Sequence, residues 1–224
     1  MKQNKKGYLT IPKEADELDV VFTYKGNPCP YLCPTGEEVT ELESWLLFRS
    51  DLNCALESLK HILYIESKPT IFPSSESISR GLLFSSIVSY AKCFAQARGR
   101  VVRLEKEHVF EGEAELLKTH NQVLKMRNKF VAHGDKSEFE HVMVRIALTP
   151  EPFSKEVLTP YSLVASVASL SKDTIKDYIK MASYVGSFIE LKIDKLNDFL
   201  KTELALMDLD EVYSYAEPPR KVQA

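Results

Sequence analysis

Ile175-Lys-Asp-Tyr178-Ile179-Lys-Met-Ala182-Ser-Tyr-Val185-Gly186-Ser-Phe188-Ile189-Glu-Leu-Lys-Ile193-Asp-Lys-Leu196-Asn-Asp-Phe199-Leu200 decides the fold class. Its residues Ile175, Ile179, Ala182, Gly186, Ile189, Ile193, Leu196 and Leu200 recur in steps of four and three, the heptad spacing that keeps one stripe of a helix apolar. Such a seam requires a partner helix along its whole length. Tyr178, Val185, Phe188, Phe199 and Leu206 add a second apolar band, so this helix, opening at Ser171 and Asp173, takes the centre of a bundle or a dimer contact. Gly186 in the seam predicts close approach of a second helix, at a propensity cost of about 1 kcal/mol.

Upstream of it, the helical pattern recurs. Thr35-Gly-Glu-Glu38 is a capping box, and a helix is expected from there to about Glu66, with Leu42, Leu46, Leu52, Leu56, Leu59 and Leu63 inward and Trp45 alongside. Prolines 69 and 73 end it. Ser74 or Ser75 then caps a second helix, whose stripe Ile78, Leu82, Leu83, Ile87, Tyr90 and Phe94 runs toward Gly99. Ser85, Ser86 and Ala91 are small enough for close packing. Between the third helix and the last, Val142, Val144, Ile146 and Leu148 alternate with their neighbours, and a second β-rich run follows from Tyr161 to about Val167. The reading is a mainly α chain: an antiparallel helical bundle with a small β-hairpin insertion between the third helix and the last long one. Residues 1–34 form an irregular lead-in with a short strand over Val20–Tyr24, residues 35–210 the bundle with its insertion at 135–170, and residues 211–224 a tail that is disordered from Glu217.

The third helix carries the chemistry. Over Leu124-Lys-Met-Arg127-Asn128-Lys-Phe-Val-Ala-His133-Gly134-Asp135, at about 100° per residue, Leu116, Leu117, Val123, Leu124, Phe130 and Val131 share one side and Lys118, Asn121, Lys125, Asn128 and Lys129 the other. Arg127 falls in the middle of the apolar side, seven residues after His120. An unpaired buried guanidinium is costly, so Arg127 is either buried against a partner or lines an interface. His133 lies in the last turn, where the helix dipole favours imidazolium, with Gly134 placed to end the helix.

Arg127-Asn128, four residues and His133 resemble the signature of the HEPN superfamily (higher eukaryote and prokaryote nucleotide-binding domains), and the longer Arg-Asn-Lys-x-x-Ala-His-x-Asp form is similar to its bacterial abortive-infection and toxin-associated branches. Helix order extends a looser resemblance over residues 36–207. The resemblance implies a metal-independent endoribonuclease of toxin or phage-defence type, completed at a homodimer interface and needing no cofactor. Arg127, Asn128 and His133 would be its catalytic set. Family members without activity act instead as interaction modules, some with a nucleotidyltransferase-type antitoxin as protein partner.

The residue types suit that chemistry. Metal-free RNA cleavage needs a base for the 2′-hydroxyl, an acid for the leaving oxygen and fixed positive charge on the phosphorane-like transition state. Histidine titrates near neutrality, and arginine presents a planar fork of donors to phosphate. Asn128 would orient. Arg98, Arg100 and Arg103, just past the second helix, read either as a solvated helix end or as a basic lip for RNA, with Lys129 beside the motif. From the residues alone the alternatives stay open: Arg127 could pair with Glu190 or Asp194 of the last helix, and His133 could cap a terminal carbonyl. His61, His108 and His141 read as structural or surface histidines.

Composition narrows the classes. The 224 residues, 44% hydrophobic, suffice for one substantial core. A net charge of −3 gives no global attraction to nucleic acid, so any RNA contact must be local. No apolar run reaches membrane-span length and the start is polar, which points to a cytoplasmic protein without a membrane segment. Eight glycines include no phosphate-cradling loop. Cys29 and Cys33 lack the spacing and the further ligands of a zinc site, so no metal is expected, while Cys54 and Cys93 fall within apolar helical patterns as reduced, buried thiols.

Overall fold

The computed structural model describes residues 23–68, 75–97, 99–131, 140–150, 157–166, 170–216 and 218. A hairpin of β1 (Thr23–Tyr24) and β2 (Asn27–Pro28) precedes helices α1 (Glu37–Glu66), α2 (Ser75–Phe94), α3 (Lys106–Val109) and α4 (Ala114–Met126). A π-helical turn, Arg127–Val131, prolongs α4. Strands β3 (Glu140–Leu148) and β4 (Val157–Ser166), then α5 (Lys172–Ala205) and α6 (Leu209–Ser214), complete the order. The chain is mainly helical with a small antiparallel hairpin between the third long helix and the last, as its pattern implies.

Two compact units divide it, one of residues 1–47, 97–102 and 189–224, the other of residues 48–96 and 103–188. In the second unit the described helices are the later part of α1, α2, α3, α4 with its π turn, and the first part of α5. Cys93 Sγ donates to the Phe48 carbonyl at 3.7 Å, and Cys54 meets Ser85 at 3.8 Å, so α1 and α2 run antiparallel. Ala55, Leu59, Ile87, Val123, Met181 and Ala182 converge from four helices around a void of about 10 Å³. Close packing of this kind leaves room for about one water. A Cβ at Gly186 would lie 3.3 Å from Leu52 Cδ2, so α5 meets α1 closely at the position where the seam lacks a side chain.

The inward face of α1 differs from the leucine stripe. Trp45, Phe48, Leu52, Ala55, Leu59 and Ile62 are buried, whereas Leu42, Leu46, Leu56 and Leu63 are only half-buried. The leucines leave a step of six between Leu46 and Leu52, and the aromatic and alanine positions that leucine counting passes over complete a regular seam in steps of three and four. Ile78, expected inward on α2, is 48% exposed, and α2 stops at Phe94, five residues before Gly99. Cys93 is buried, but Cys54 is exposed, because it stands on the far side of α1 from Leu52 and Ala55.

β3 and β4 pair from Glu140↔Ser166 to Leu148↔Val157, with an irregularity between Ile146 and Leu148. Pro160, opposite Ile146, has no N–H for the ladder, which accounts for the break at that point. β4 begins at Val157, four residues before the expected start.

In the first unit, Tyr24-Lys25-Gly26-Asn27 turns in two residues, with φ of 50° at Lys25 and 82° at Gly26. Both angles suit the right-handed twist of a two-residue hairpin. Cys29 and Cys33 are free and half-buried. Val101 N–H donates to Ser44 Oγ at 3.1 Å, and the Lys192 ammonium stands 6.0 Å from the centre of the Trp45 ring. Asp208 caps α6 by accepting from Asp210 N–H at 3.0 Å, so helical structure reaches into the segment read as a tail.

Candidate functional site

α4 is the amphipathic element that places the candidate residues. Leu116, His120, Val123 and Met126 are buried at helical spacing, while Lys118, Asn121 and Lys125 are exposed. Glu113 at the N-cap and Glu115 in the first turn bring negative charge to the start of α4, which suits its dipole.

Arg127 extends the buried arc by projection, yet its side chain is exposed. The helix changes type at this residue, from i→i+4 to i→i+5 closure. The wider turn takes in an additional residue, so the projection valid over Leu116–Met126 no longer fixes which neighbours enclose the side chain. The guanidinium instead donates from Nη1 to Asn128 Oδ1 at 2.9 Å. Asn128 and Lys129 are also exposed. Arginine and asparagine are therefore brought together at the surface, with the fork of the guanidinium oriented by its neighbour.

His133 and Arg98 lie outside the described residues. Arg100 is half-buried in the first unit, and Arg103, in the second, is exposed with Nε 3.5 Å from Glu105 Oε1. Arg103 thus already has a carboxylate beside it.

About two turns before Arg127, His120 is wholly enclosed. Its Nδ1 and the Tyr90 hydroxyl are 2.8 Å apart, linking α4 to α2. Phe94 stands edge-on with ring centres 4.4 Å apart, and Phe110 lies at 5.1 Å and stacks in turn on Tyr184. Nε2 has no hydrogen-bond partner among the described residues. Burial, reinforced by the Lys106 ammonium and opposed by Glu107, pushes the imidazole pKa down from 6.5 to about 4. Burial likewise holds the Tyr90 phenol well above its ordinary range, with Cys93 adding to the shift.

His120 is consequently a neutral packing and bonding residue, enclosed from any phosphodiester. The sequence marks its position on the arginine's stripe. Its partners were not legible, because Tyr90 and Phe110 reach it from separate elements and no local spacing connects them.

Among the described residues, no group of three or more His, Cys, Asp or Glu side chains gathers as a metal site would, and none of their helices is long and apolar enough to cross a membrane. No family model matches the chain, and no curated protein or solved structure matches it.

Proposed function

We propose that the chain is a HEPN-like, RNA-directed protein that cleaves RNA without metal, as a cytoplasmic homodimer of toxin or phage-defence type. The observation that carries the reading is Arg127: an arginine in line with an apolar helical face, exposed on a π turn, with its guanidinium held by Asn128. Departures from α geometry of this kind recur at functional sites. In the proposed reaction Arg127 binds the non-bridging phosphate oxygens and stays charged as negative charge grows on them. His133, six residues on, exchanges protons with the 2′-hydroxyl or the 5′-leaving oxygen. Asn128 keeps the guanidinium aimed, and Lys129 adds local charge to a chain whose net charge is −3. A two-fold axis would supply the second Arg127/His133 set and so both an acid and a base.

The net negative charge favours one other reading, a non-catalytic module that binds a protein such as a nucleotidyltransferase-type antitoxin. Incubation of a mixed RNA substrate in excess EDTA separates the two. Cleavage by the unaltered protein, reduced at least ~100-fold in Arg127→Ala and His133→Ala variants of unchanged fold, is the expected result. No cleavage across several RNAs would leave the interaction module.

A further inference from the structure

The outward face of α4, within the second unit, gathers cations into one row. Between Glu115 and Asp135 the chain carries Lys118, Lys125, Arg127 and Lys129 and no carboxylate, although its net charge is −3. At about 100° per residue, Asn121, Lys125, Lys118 and Gln122 fall in that order within an arc of about 100°, on the side away from Leu116, His120 and Val123. All four are exposed. Lys118 and Lys125 stand about 10 Å apart along the axis, and Lys129, exposed on the π turn, follows about one turn further. An open depression of about 410 Å³ lies on this face, lined by Ala114, Leu117, Lys118, Asn121, Gln122 and Lys125. Glu113 and Glu115 close the row at its start, so it runs toward the Arg127–Asn128 pair.

We propose that this row holds the sugar-phosphate backbone of a single RNA strand leading to Arg127. The proposal rests on the reading of Arg127 as the residue that meets the reacting phosphate, and it names the surface that holds the rest of the substrate. Charge fixes the sign of the occupant: four cations without a carboxylate draw a polyanion to this face of a chain whose net charge is negative. Shape selects one strand. Cations in single file match one line of phosphates, whereas a duplex presents two lines across a groove. From Lys118 to Lys129 the row is about 16 Å long, the length of roughly four or five stacked nucleotides at about 3.4 Å each. Asn121 and Gln122 set amide donors between the lysines, which add hydrogen bonds to the same phosphate oxygens. Between Lys118 and Lys129 the sequence has no Phe, Tyr or Trp on which a base could stack. The strand is therefore held by its backbone, with little regard to base sequence.

Fluorescence anisotropy with the full chain in excess EDTA tests it, using labelled 2′-O-methyl oligouridine and oligoadenosine of about twelve nucleotides, which have no free 2′-hydroxyl to react. Lys118→Gln and Lys125→Gln each place a residue of similar helix propensity at an exposed position, so the fold is kept. Each weakens binding about fivefold at about 0.1 M salt and reduces the slope of log K against log salt by about 0.7; together they weaken it about 25-fold. The two single strands bind alike, and the duplex they form when annealed binds more weakly. Failure of the unaltered chain to bind either strand overturns the proposal and leaves an acidic protein as the partner of this face. Affinity and slope unmoved in the double variant overturn it too, as does equal binding of the duplex. Cleavage of an all-ribose strand by the unaltered chain and by Arg127→Ala reports separately on the proposed function: lysine-dependent binding without cleavage upholds the row and removes the nuclease reading.

Discussion

Acid should loosen the second unit through His120. Its folded pKa of about 4 lies below the ordinary 6.5, because the cation would have to sit among Tyr90, Phe94 and Phe110 without water. Above pH 6.5 both the folded and unfolded chains hold the imidazole neutral, and its contribution to stability is fully present. As pH falls toward 4 the unfolded chain takes up the proton and the folded one does not, so stability declines through that window. At 1.36 kcal/mol per pKa unit, this one group removes about 2 kcal/mol by pH 5 and about 3 kcal/mol by pH 4. The comparison that isolates it is Tyr90→Phe/His120→Phe, which removes the titrating ring and the hydroxyl that would otherwise lose its partner. Urea unfolding followed by far-UV circular dichroism at several pH values reports on the whole fold, whereas the single tryptophan, Trp45, belongs to the other unit. The unaltered chain should lose about 2 kcal/mol more than the double variant between pH 7.5 and 5. Parallel stability curves for the two proteins would refute the assignment of the acid sensitivity to His120.

Two further outcomes follow from local geometry. Gly186→Val should destabilise by about 2 kcal/mol in the same urea assay, since a Cβ there would lie 3.3 Å from Leu52 Cδ2 and the branched methyls add to that crowding; an unchanged midpoint would mean that α1 and α5 are not closely packed there. Lys25→Asn should stabilise the first unit by about 0.5 kcal/mol, read by Trp45 fluorescence, because asparagine accepts positive φ more readily than lysine and Asn-Gly suits a two-residue hairpin turn.

What the sequence made legible was periodicity, and what it hid was the point at which periodicity ends. The seam of α5 runs unbroken from Ile175 to Leu200 in the sequence, but the structure buries it fully only at Ile175, Ala182, Ile189 and Ile193. Leu196 and Leu200 are half-buried, and the second band, closed at Tyr178 and Val185, is open at Phe199 and Leu206. A heptad pattern states that a face needs covering. It does not say whether the same chain or another copy supplies the cover.

The motif helix shows the same limit at Arg127. A uniform 3.6-residue projection places the guanidinium among leucines, and it holds for Leu116, His120, Val123 and Met126, all of them buried. The projection assumes i→i+4 closure throughout, and the turn that begins at Arg127 closes i→i+5. Nothing in Arg-Asn-Lys-Phe-Val marks that change, because helix propensity ranks residues for α geometry and does not distinguish the wider turn. The expected conflict between a charged group and an apolar face is thereby resolved locally: the backbone stays on the helix and the guanidinium reaches Asn128 at the surface. A residue selected only for stability at this position would be apolar and would close the face. An arginine kept exposed, with a neighbour that aligns its donors, leaves a fixed positive charge at the end of a helix anchored about two turns earlier by the His120–Tyr90 bond, and that placement is what an anionic substrate would require.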